Sequence, residues 1–237
     1  MAELIELDSR SFERRLAERP VVIVPVGALE AHGPHLPLGA DQIQAEATAQ
    51  ALAQRVGAIV APTIPYGVCF GARNFPGTVD ISMGTLSRYT EEVLTGLARQ
   101  GAGKLLVLSG HAAREHMAAL REAADHAMRA VPGTRIAVLS DYDFVYERRG
   151  LDAPATDGHA GQLETSRVMS MRPDLVNADR APAGRGGSPF VPGPPTRSEW
   201  PESVAGDPRP ATAELGARLQ TYVLDRLEAT VRELWTE

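Results

Sequence analysis

Short aliphatic runs alternate with helix-like stretches along most of this chain. Val21–Val26 reads VVIVPV and ends at Gly27, which predicts a buried strand. Further strands are predicted at 59–62, 105–108 and 136–139, and helices at 42–56, 86–100, 112–130, 162–171 and 211–235. Strands separated by helices predict an α/β fold with a largely parallel sheet covered on both faces.

Local patterns predict details of two of these helices. Asp41 stands where a side chain can cap the helix at 42–56, with Gln44 as its reciprocal partner. The helix at 86–100 carries its apolar residues on one face, namely Leu86, Tyr89, Val93, Leu94 and Leu97.

Composition excludes several classes of protein. The 237 residues carry a net charge of −6, which argues against a nucleic-acid partner because phosphate binding needs clustered basic residues. There is no basic block and no run of about 18 apolar residues, so no membrane association is expected. Cys69 is the single cysteine, and the N-terminal stretch lacks an apolar signal core. These features predict a cytoplasmic protein.

Acidic residues and histidines crowd the loop after the first predicted strand. This loop, 27–41, reads GALEAHGPHLPLGAD and contains Glu30, His32 and Asp41. In open α/β sheets, ligands bind at the carboxyl ends of the strands. Carboxylates and imidazoles without thiolates suit zinc, manganese or iron. Asp41 as a helix cap alone is the alternative.

Two further loops carry a histidine after glycine. His111 follows the strand at 105–108, and His159 and Glu164 flank the start of the helix at 162–171. Each has a simpler interpretation, because His111 could be a solvated loop residue and Glu164 could only complement the helix dipole. If the three loops converge on one sheet edge, they predict a common site.

Four segments together resemble the creatininase family of amidohydrolases. They read VGALEAHGPHLPLGAD, NFPGTVDIS, SGHAAREH and DGHAGQLETS, and they lie in order between about residues 20 and 176. The resemblance implies a three-layer α/β/α sandwich, here as a single domain over 1–237, and a homohexamer. It also implies two divalent metal ions per chain (zinc, manganese or iron) and hydrolysis of cyclic or linear amide C–N bonds in a small molecule or a short modified peptide.

The resemblance also implies a role for each matching residue. Glu30 and His111 would hold one metal, and His32 and Glu164 the other. Asp41 would bridge the two. His159 would be the catalytic residue, moving a proton to the leaving nitrogen while the two metals activate a shared water.

Departures from the family pattern concern the pocket rather than the metal residues. Ala113 stands where many members carry a proton-handling glutamate, Cys69 stands near a usual serine and Asn74 near a usual histidine. A substrate other than creatinine is therefore favoured. Arg73 and Arg114 lie in the altered segments and favour an anionic substrate, with plain surface arginines as the alternative.

The remaining histidines and the cysteine are given structural roles. Cys69 beside an aromatic residue is typical of a small buried hydrophobe rather than a nucleophile. His35 is expected to support the site without binding metal. His116 and His126, on an Ala-rich helix, are expected to be solvated.

The Pro/Gly-rich segment 181–210, with Trp200 expected to be exposed, is predicted to be a loop that covers substrate or contacts another subunit. A solvated surface excursion is the alternative. Two other functions stay open because of Ala113. One is a metal-dependent lyase or isomerase, and the other is a catalytically silent oligomeric subunit.

Overall fold

The computed structural model of this protein describes residues 2–184 and 200–235. A five-stranded sheet crosses its centre, and every neighbouring pair of strands is parallel. The strands are β1 (Ala2–Glu3), β2 (Val21–Val26), β3 (Ile59–Val60), β4 (Lys104–Ser109) and β5 (Arg135–Ser140). Their spatial order is β1-β3-β2-β4-β5, so β2 and β4 are direct neighbours in the middle.

Helices connect the strands and continue to the end of the described chain. They are α1 (Ser9–Ala17), α2 (Ala40–Val56), α3 (Met83–Arg99), α4 (Arg114–Ala130), α5 (Tyr142–Val145), α6 (Gln162–Met171) and α7 (Ala213–Trp235). Short 3₁₀ turns occupy Leu4–Glu6, Tyr146–Arg148, Pro173–Leu175, Ala178–Arg180 and Pro201–Ser203. Within the described ranges, every helix is too short or too polar to cross a bilayer.

Alternate residues of each central strand enter different cores. In β2, Val22 and Val24 pack in a cluster that includes Leu86 and Leu120 from α3 and α4. Ile23 faces the opposite side and packs with α2, α5, α6 and α7. A sheet buried on both faces explains why its strands read as continuous apolar runs. The predicted three-layer α/β/α sandwich is confirmed.

The helix predicted at 86–100 begins earlier in the structure. α3 begins at Met83 because Ser82 Oγ accepts a hydrogen bond from the Thr85 amide at 3.1 Å. Tyr89 was placed on the apolar face of this helix, but it is 55% exposed. The second predicted strand is only two residues long.

Asp41 does not cap α2, so this prediction was wrong. The cap position is Gly39, which has no side chain to offer, and Asp41 lies inside the first turn. Its carboxylate is turned away from the helix backbone and towards two histidines. The Asp41 carboxylate, which the local pattern assigned to capping, therefore contacts His32 and His111 instead.

Gly110 brings the end of β4 against the first turn of α2. Its amide donates to the Val26 carbonyl at 2.9 Å, and a Cβ built on it would lie 2.2 Å from the Asp41 carbonyl oxygen and 3.0 Å from the Ala45 nitrogen. Only glycine permits this approach, since both neighbours are backbone atoms.

We expect Gly110→Ala to lower the free energy of unfolding by about 1–3 kcal/mol, because α2 must shift to make room. Thermal melting measures this. Gly96→Ala in α3 is the matched control, because nothing lies within 4 Å of its Cβ position and alanine favours helix. Equal melting temperatures for the two variants would contradict the packing argument.

Candidate metal centre

The five predicted metal residues meet at the carboxyl end of β2 and β4. Glu30 and His32 come from the loop after β2, Asp41 from α2, His111 from the turn after β4 and Glu164 from α6. Each is at most 7% exposed. After β2 the chain continues to β3 on one side, whereas β4 and then β5 lie on the other side. The carboxyl ends of the strands at such a switch point are the usual place for a ligand in open α/β sheets.

Asp41 lies between two groups of candidate ligands. Its Oδ2 is 3.1 Å from His111 Nδ1, and its Oδ1 is 3.4 Å from His32 Nε2. Glu30 Oε1 lies 3.1 Å from the same His111 nitrogen, and Glu164 Oε1 lies 3.4 Å from the same His32 nitrogen. The two oxygens of one carboxylate therefore face two separate acid–imidazole pairs.

The second ring nitrogen of each histidine is fixed by a backbone carbonyl. His32 Nδ1 lies 3.0 Å from the Glu30 carbonyl, His111 Nε2 3.0 Å from the Val68 carbonyl and His159 Nε2 2.8 Å from the Ala31 carbonyl. A carbonyl only accepts, so these nitrogens carry the proton. The other nitrogen of each ring then faces the cluster, where a bound cation would take the place of a second proton, as in metal-binding histidines.

Several buried atoms of this cluster have no hydrogen-bond partner in the described part of the chain. They are Glu30 Oε1, His32 Nε2 and Asp41 Oδ2. Unpartnered buried polar atoms are costly and rare, and here they face one another. The ligand atoms of His32, Asp41 and Glu164 all lie within 4.8 Å of one another, as do those of Glu30, Cys69 and His111. The arrangement fits bound cations.

The electrostatics of the site also favour positive charge. Burial by itself lowers the pKa of His32, but Glu164 and Asp41 outweigh it and raise this pKa well above its ordinary value. The pKa of His111 is raised in the same way by Glu30 and Asp41, against its burial. Burial would raise the pKa of Glu164, yet His32 holds it well below the usual range. Against their burial, His111 lowers the pKa values of Glu30 and Asp41 as well. Three ionised carboxylates buried together call for cations.

A cavity of about 320 Å³ opens onto the cluster. Its aromatic lining consists of Phe70, Tyr142, Tyr146 and Trp200, with Gly71, Gly110, Ala112 and Ala113 as small neighbours. Pockets of this size and apolar character are typical of small-molecule sites.

His159 stands between the metal residues and the cavity. Its Nδ1 lies 3.6 Å from Glu30 Oε1, and its ring is 4.3 Å from that of His32. Trp200 stacks on the outer face of His159, with the rings 5.2 Å apart and 12° from parallel. Trp200 was expected to be exposed, but it is half-buried in the cavity wall, because His159 offers it a flat partner.

Arginines were expected to recognise an anionic substrate, and the structure places both outside the cavity. Arg73 pairs with Asp80 at 3.3 Å and lies over the Phe70 ring. Arg114 is exposed at the start of α4. Cys69 is buried as predicted, and burial together with the charge of Glu30 raises the pKa of its thiol. A thiol with a raised pKa is a poor nucleophile.

The other histidines divide between core and surface. His116 was predicted to be solvated, but it is fully buried, with Nε2 3.2 Å from Ser109 Oγ and Nδ1 accepting from the Val68 amide. Burial lowers the pKa of His116 well below its usual range. His126 is on the surface beside Glu91, as predicted.

His35 is buried and supports the loop before α6. Its Nε2 is 3.0 Å from Thr165 Oγ1 and 3.2 Å from the Ala160 carbonyl. Burial lowers its pKa to about 4, so the ring is neutral. The Ala160 amide in turn donates to Glu164 Oε2 at 2.7 Å. This contact agrees with the expected supporting role.

Of the predicted loop 181–210, residues 185–199 lie outside the described residues, so its covering role stays a prediction. Its described ends are joined, because the Gly184 amide donates to the Gly206 carbonyl at 2.7 Å. The Ala205 amide donates to the His159 carbonyl at 2.8 Å. The segment therefore begins and ends beside the site.

Comparison with known proteins matches this chain to a family. The profile of the family described as creatininase, creatinine amidohydrolase, matches residues 5–231. The chain belongs to the creatininase family. It is therefore a hydrolase that acts on C–N amide bonds.

Relatives in this family differ in what they act on. The chain is 30% identical over 250 residues to the creatinine amidohydrolase of Pseudomonas putida, covering 96% of this chain and 95% of the relative. It is 32% identical over 218 residues to the mycofactocin precursor peptide peptidase of Mycolicibacterium smegmatis, covering 84% and 79%. A 3-dehydro-scyllo-inosose hydrolase of Thermotoga maritima is 26% identical over 259 residues, covering 95% and 81%.

Solved structures of creatininases share the whole fold. A creatininase described with Mn superposes with a TM-score of 0.90 at 27% identity, covering 100% of this chain and 99% of the other. A mutant creatininase of the Zn–Zn type gives a TM-score of 0.89 at 27% identity, covering 99% and 98%.

Proposed function

We propose that this creatininase-family chain is a two-metal amidohydrolase. Glu30 and His111 would hold one divalent ion, His32 and Glu164 would hold the other, and Asp41 would serve both. The observation that carries the proposal is the placement of the two Asp41 oxygens, 3.1 Å from His111 and 3.4 Å from His32. The solved relatives described with manganese and with zinc support these metals as the first to test.

When bound, a pair of divalent cations supplies Lewis acidity towards an attacking water and the amide carbonyl. His159 supplies the proton transfer. Its Nε2 is held by the Ala31 carbonyl, so Nδ1 is left to accept a proton from the water as the water oxygen bonds to the carbonyl carbon. The same nitrogen then delivers that proton to the leaving nitrogen as the C–N bond breaks. Trp200 restrains the ring from its outer face.

Because residue 113 is an alanine, His159 has no acidic neighbour there to share the proton transfer. Among the described residues that line the cavity, the acidic ones are Glu30, Asp41 and Glu164, and each is a proposed metal ligand. Ala113 borders the cavity without any proton acceptor. Proton handling therefore falls to the histidine.

The cavity favours a compact neutral amide over an anionic one. Its described lining carries aromatic and small side chains around the metal residues, and both arginines lie elsewhere. Cyclic amides and the peptide bonds of short peptides fit this description, and the relatives include a creatinine amidohydrolase and a precursor peptide peptidase.

The test begins with removal of bound metal by a chelator. The protein is then reloaded with zinc or manganese and assayed for amine release from a panel of cyclic amides and dipeptide amides. We expect about two ions per chain and hydrolysis that depends on them. A protein that binds neither metal would contradict the proposal, and one that binds two ions yet cleaves nothing would favour a silent family member.

Hydrolysis is favoured over a lyase or isomerase reaction because the relatives are hydrolases. We further propose a single domain, a homo-oligomer, hexameric by resemblance, and a cytoplasmic location.

A further inference from the structure

A buried ion pair lies behind Glu164, on the side away from the cavity. Arg167 Nη2 is 2.6 Å from Asp141 Oδ2, and both residues are completely buried. Removing two charges from water is expensive, and such a pair is often no more stabilising than apolar residues of similar volume. Its presence one helical turn after Glu164 therefore points to a purpose other than stability.

Arg167 fixes the orientation of a neighbouring amide. Its Nη1 donates to Gln44 Oε1 at 2.9 Å. A guanidinium only donates, so the Gln44 side chain must present its oxygen to Arg167. The Gln44 Nε2 is thereby turned towards Glu164, and it donates to Glu164 Oε1 at 3.1 Å.

Tyr142 completes the set of donors around this carboxylate. Its hydroxyl lies 2.8 Å from Glu164 Oε1 and 2.9 Å from Gln44 Oε1. The carboxylate is the stronger acceptor, and Gln44 Oε1 is already engaged by Arg167, so the hydroxyl proton belongs to Glu164. With the Ala160 amide on Oε2, both Glu164 oxygens are held while Oε1 still faces His32.

We infer that Arg167 is a positioning residue for the metal held by His32 and Glu164, and that it acts through Gln44. The inference rests on the proposed two-metal function. Hydrogen-bonded partners behind metal ligands commonly contribute 10- to 100-fold in metal affinity. The hydrogen bonds described for this network reach Glu164 and leave Glu30 and His111 untouched, so its effect is confined to one of the two metals.

Gln44→Glu tests this with little change in shape. The new carboxylate keeps an acceptor towards Arg167, but it has no donor for Glu164 and faces it with like charge. Gln220→Glu is the matched control. Gln220 Oε1 also accepts from Arg167, at 3.1 Å, while its own amide donates to Thr48 rather than to Glu164. Both variants therefore place the same charge beside the same arginine.

The measurement is a zinc titration of the metal-free full-length protein in competition with a chromophoric chelator. We expect two tight ions in the wild type and in Gln220→Glu. In Gln44→Glu, one ion should bind about 10- to 100-fold more weakly and the other as in the wild type. Adding His111→Ala to Gln44→Glu should remove the remaining tight ion.

Two unchanged affinities in Gln44→Glu, or the same loss in Gln220→Glu, would overturn the inference while leaving the two-metal proposal intact. A wild type that binds no zinc would instead overturn the proposed function and the inference with it. Circular dichroism checks the fold of each variant. Gln44→Met removes the same amide donor without adding charge and should weaken the same single ion, so it decides the matter if Gln44→Glu does not fold.

Discussion

Replacing Asp41 by asparagine is expected to remove tight binding of both metals and to lower hydrolysis by about 10³-fold or more. One Asp41 oxygen faces His111 and the other faces His32, so this residue alone serves both proposed positions. An amide retains a single weaker oxygen acceptor and brings a donor against the other histidine. A small movement of the side chain towards one histidine would leave the other metal position without its ligand.

Elemental analysis of the purified variant, alongside amine release in added zinc or manganese, measures this effect. Asp179→Asn is the matched control, because it makes the same chemical change at an exposed residue. Two ions per chain and near-normal rates in Asp41→Asn would show that the carboxylate is an ordinary helix residue and would sink the bridged site.

His159→Ala is expected to lower kcat by about 10²- to 10⁴-fold while the protein keeps two metal ions. The side chain borders the cavity and its Nδ1 is free for proton transfer, since Nε2 is held by Ala31. However, His159 Nδ1 also lies 3.6 Å from Glu30, and its ligand atom belongs to a group with those of Glu30 and His32 that could itself hold an ion.

The metal content of this variant separates the two roles. A catalytic histidine leaves the count at two, whereas a ligand would lower it to about one. His126→Ala, on the surface beside Glu91, should change neither the rate nor the count. A full rate in His159→Ala would remove the residue from the mechanism.

Much of the candidate site could be located from the sequence because of how parallel sheets are built. Aliphatic runs at Val21–Val26 and 105–108 were recognisable as strands, and the residues that follow adjacent parallel strands must meet at one edge. Glu30, His32 and His111 were therefore placed together by periodicity and chain direction. The strand pattern and the chain direction were sufficient to group these three residues.

Asp41, His116 and Trp200 show where local pattern fails. Asp41 has the spacing of a helix cap, His116 lies on an Ala-rich helix and Trp200 lies in a Pro/Gly-rich loop. In the structure, each contacts residues outside its own local pattern. Asp41 faces His32 and His111, and His116 bonds with Ser109 and the Val68 amide. Trp200 stacks on the His159 ring. Capping and periodicity rules describe neighbours within about four residues, so they cannot register these contacts.

The sequence by itself determined the α/β architecture and the segments that meet at the carboxyl edge of its sheet, because strand and helix periodicities are local and the carboxyl ends of parallel strands must coincide. Only the tertiary structure decided how the candidate ligands are oriented. Gln44 and Glu164 are 120 residues apart, and the amide of one is turned towards the other by Arg167, which is buried with Asp141. Orientation of this kind comes from hydrogen-bond donors and acceptors that folding brings together, and no spacing along the chain encodes it.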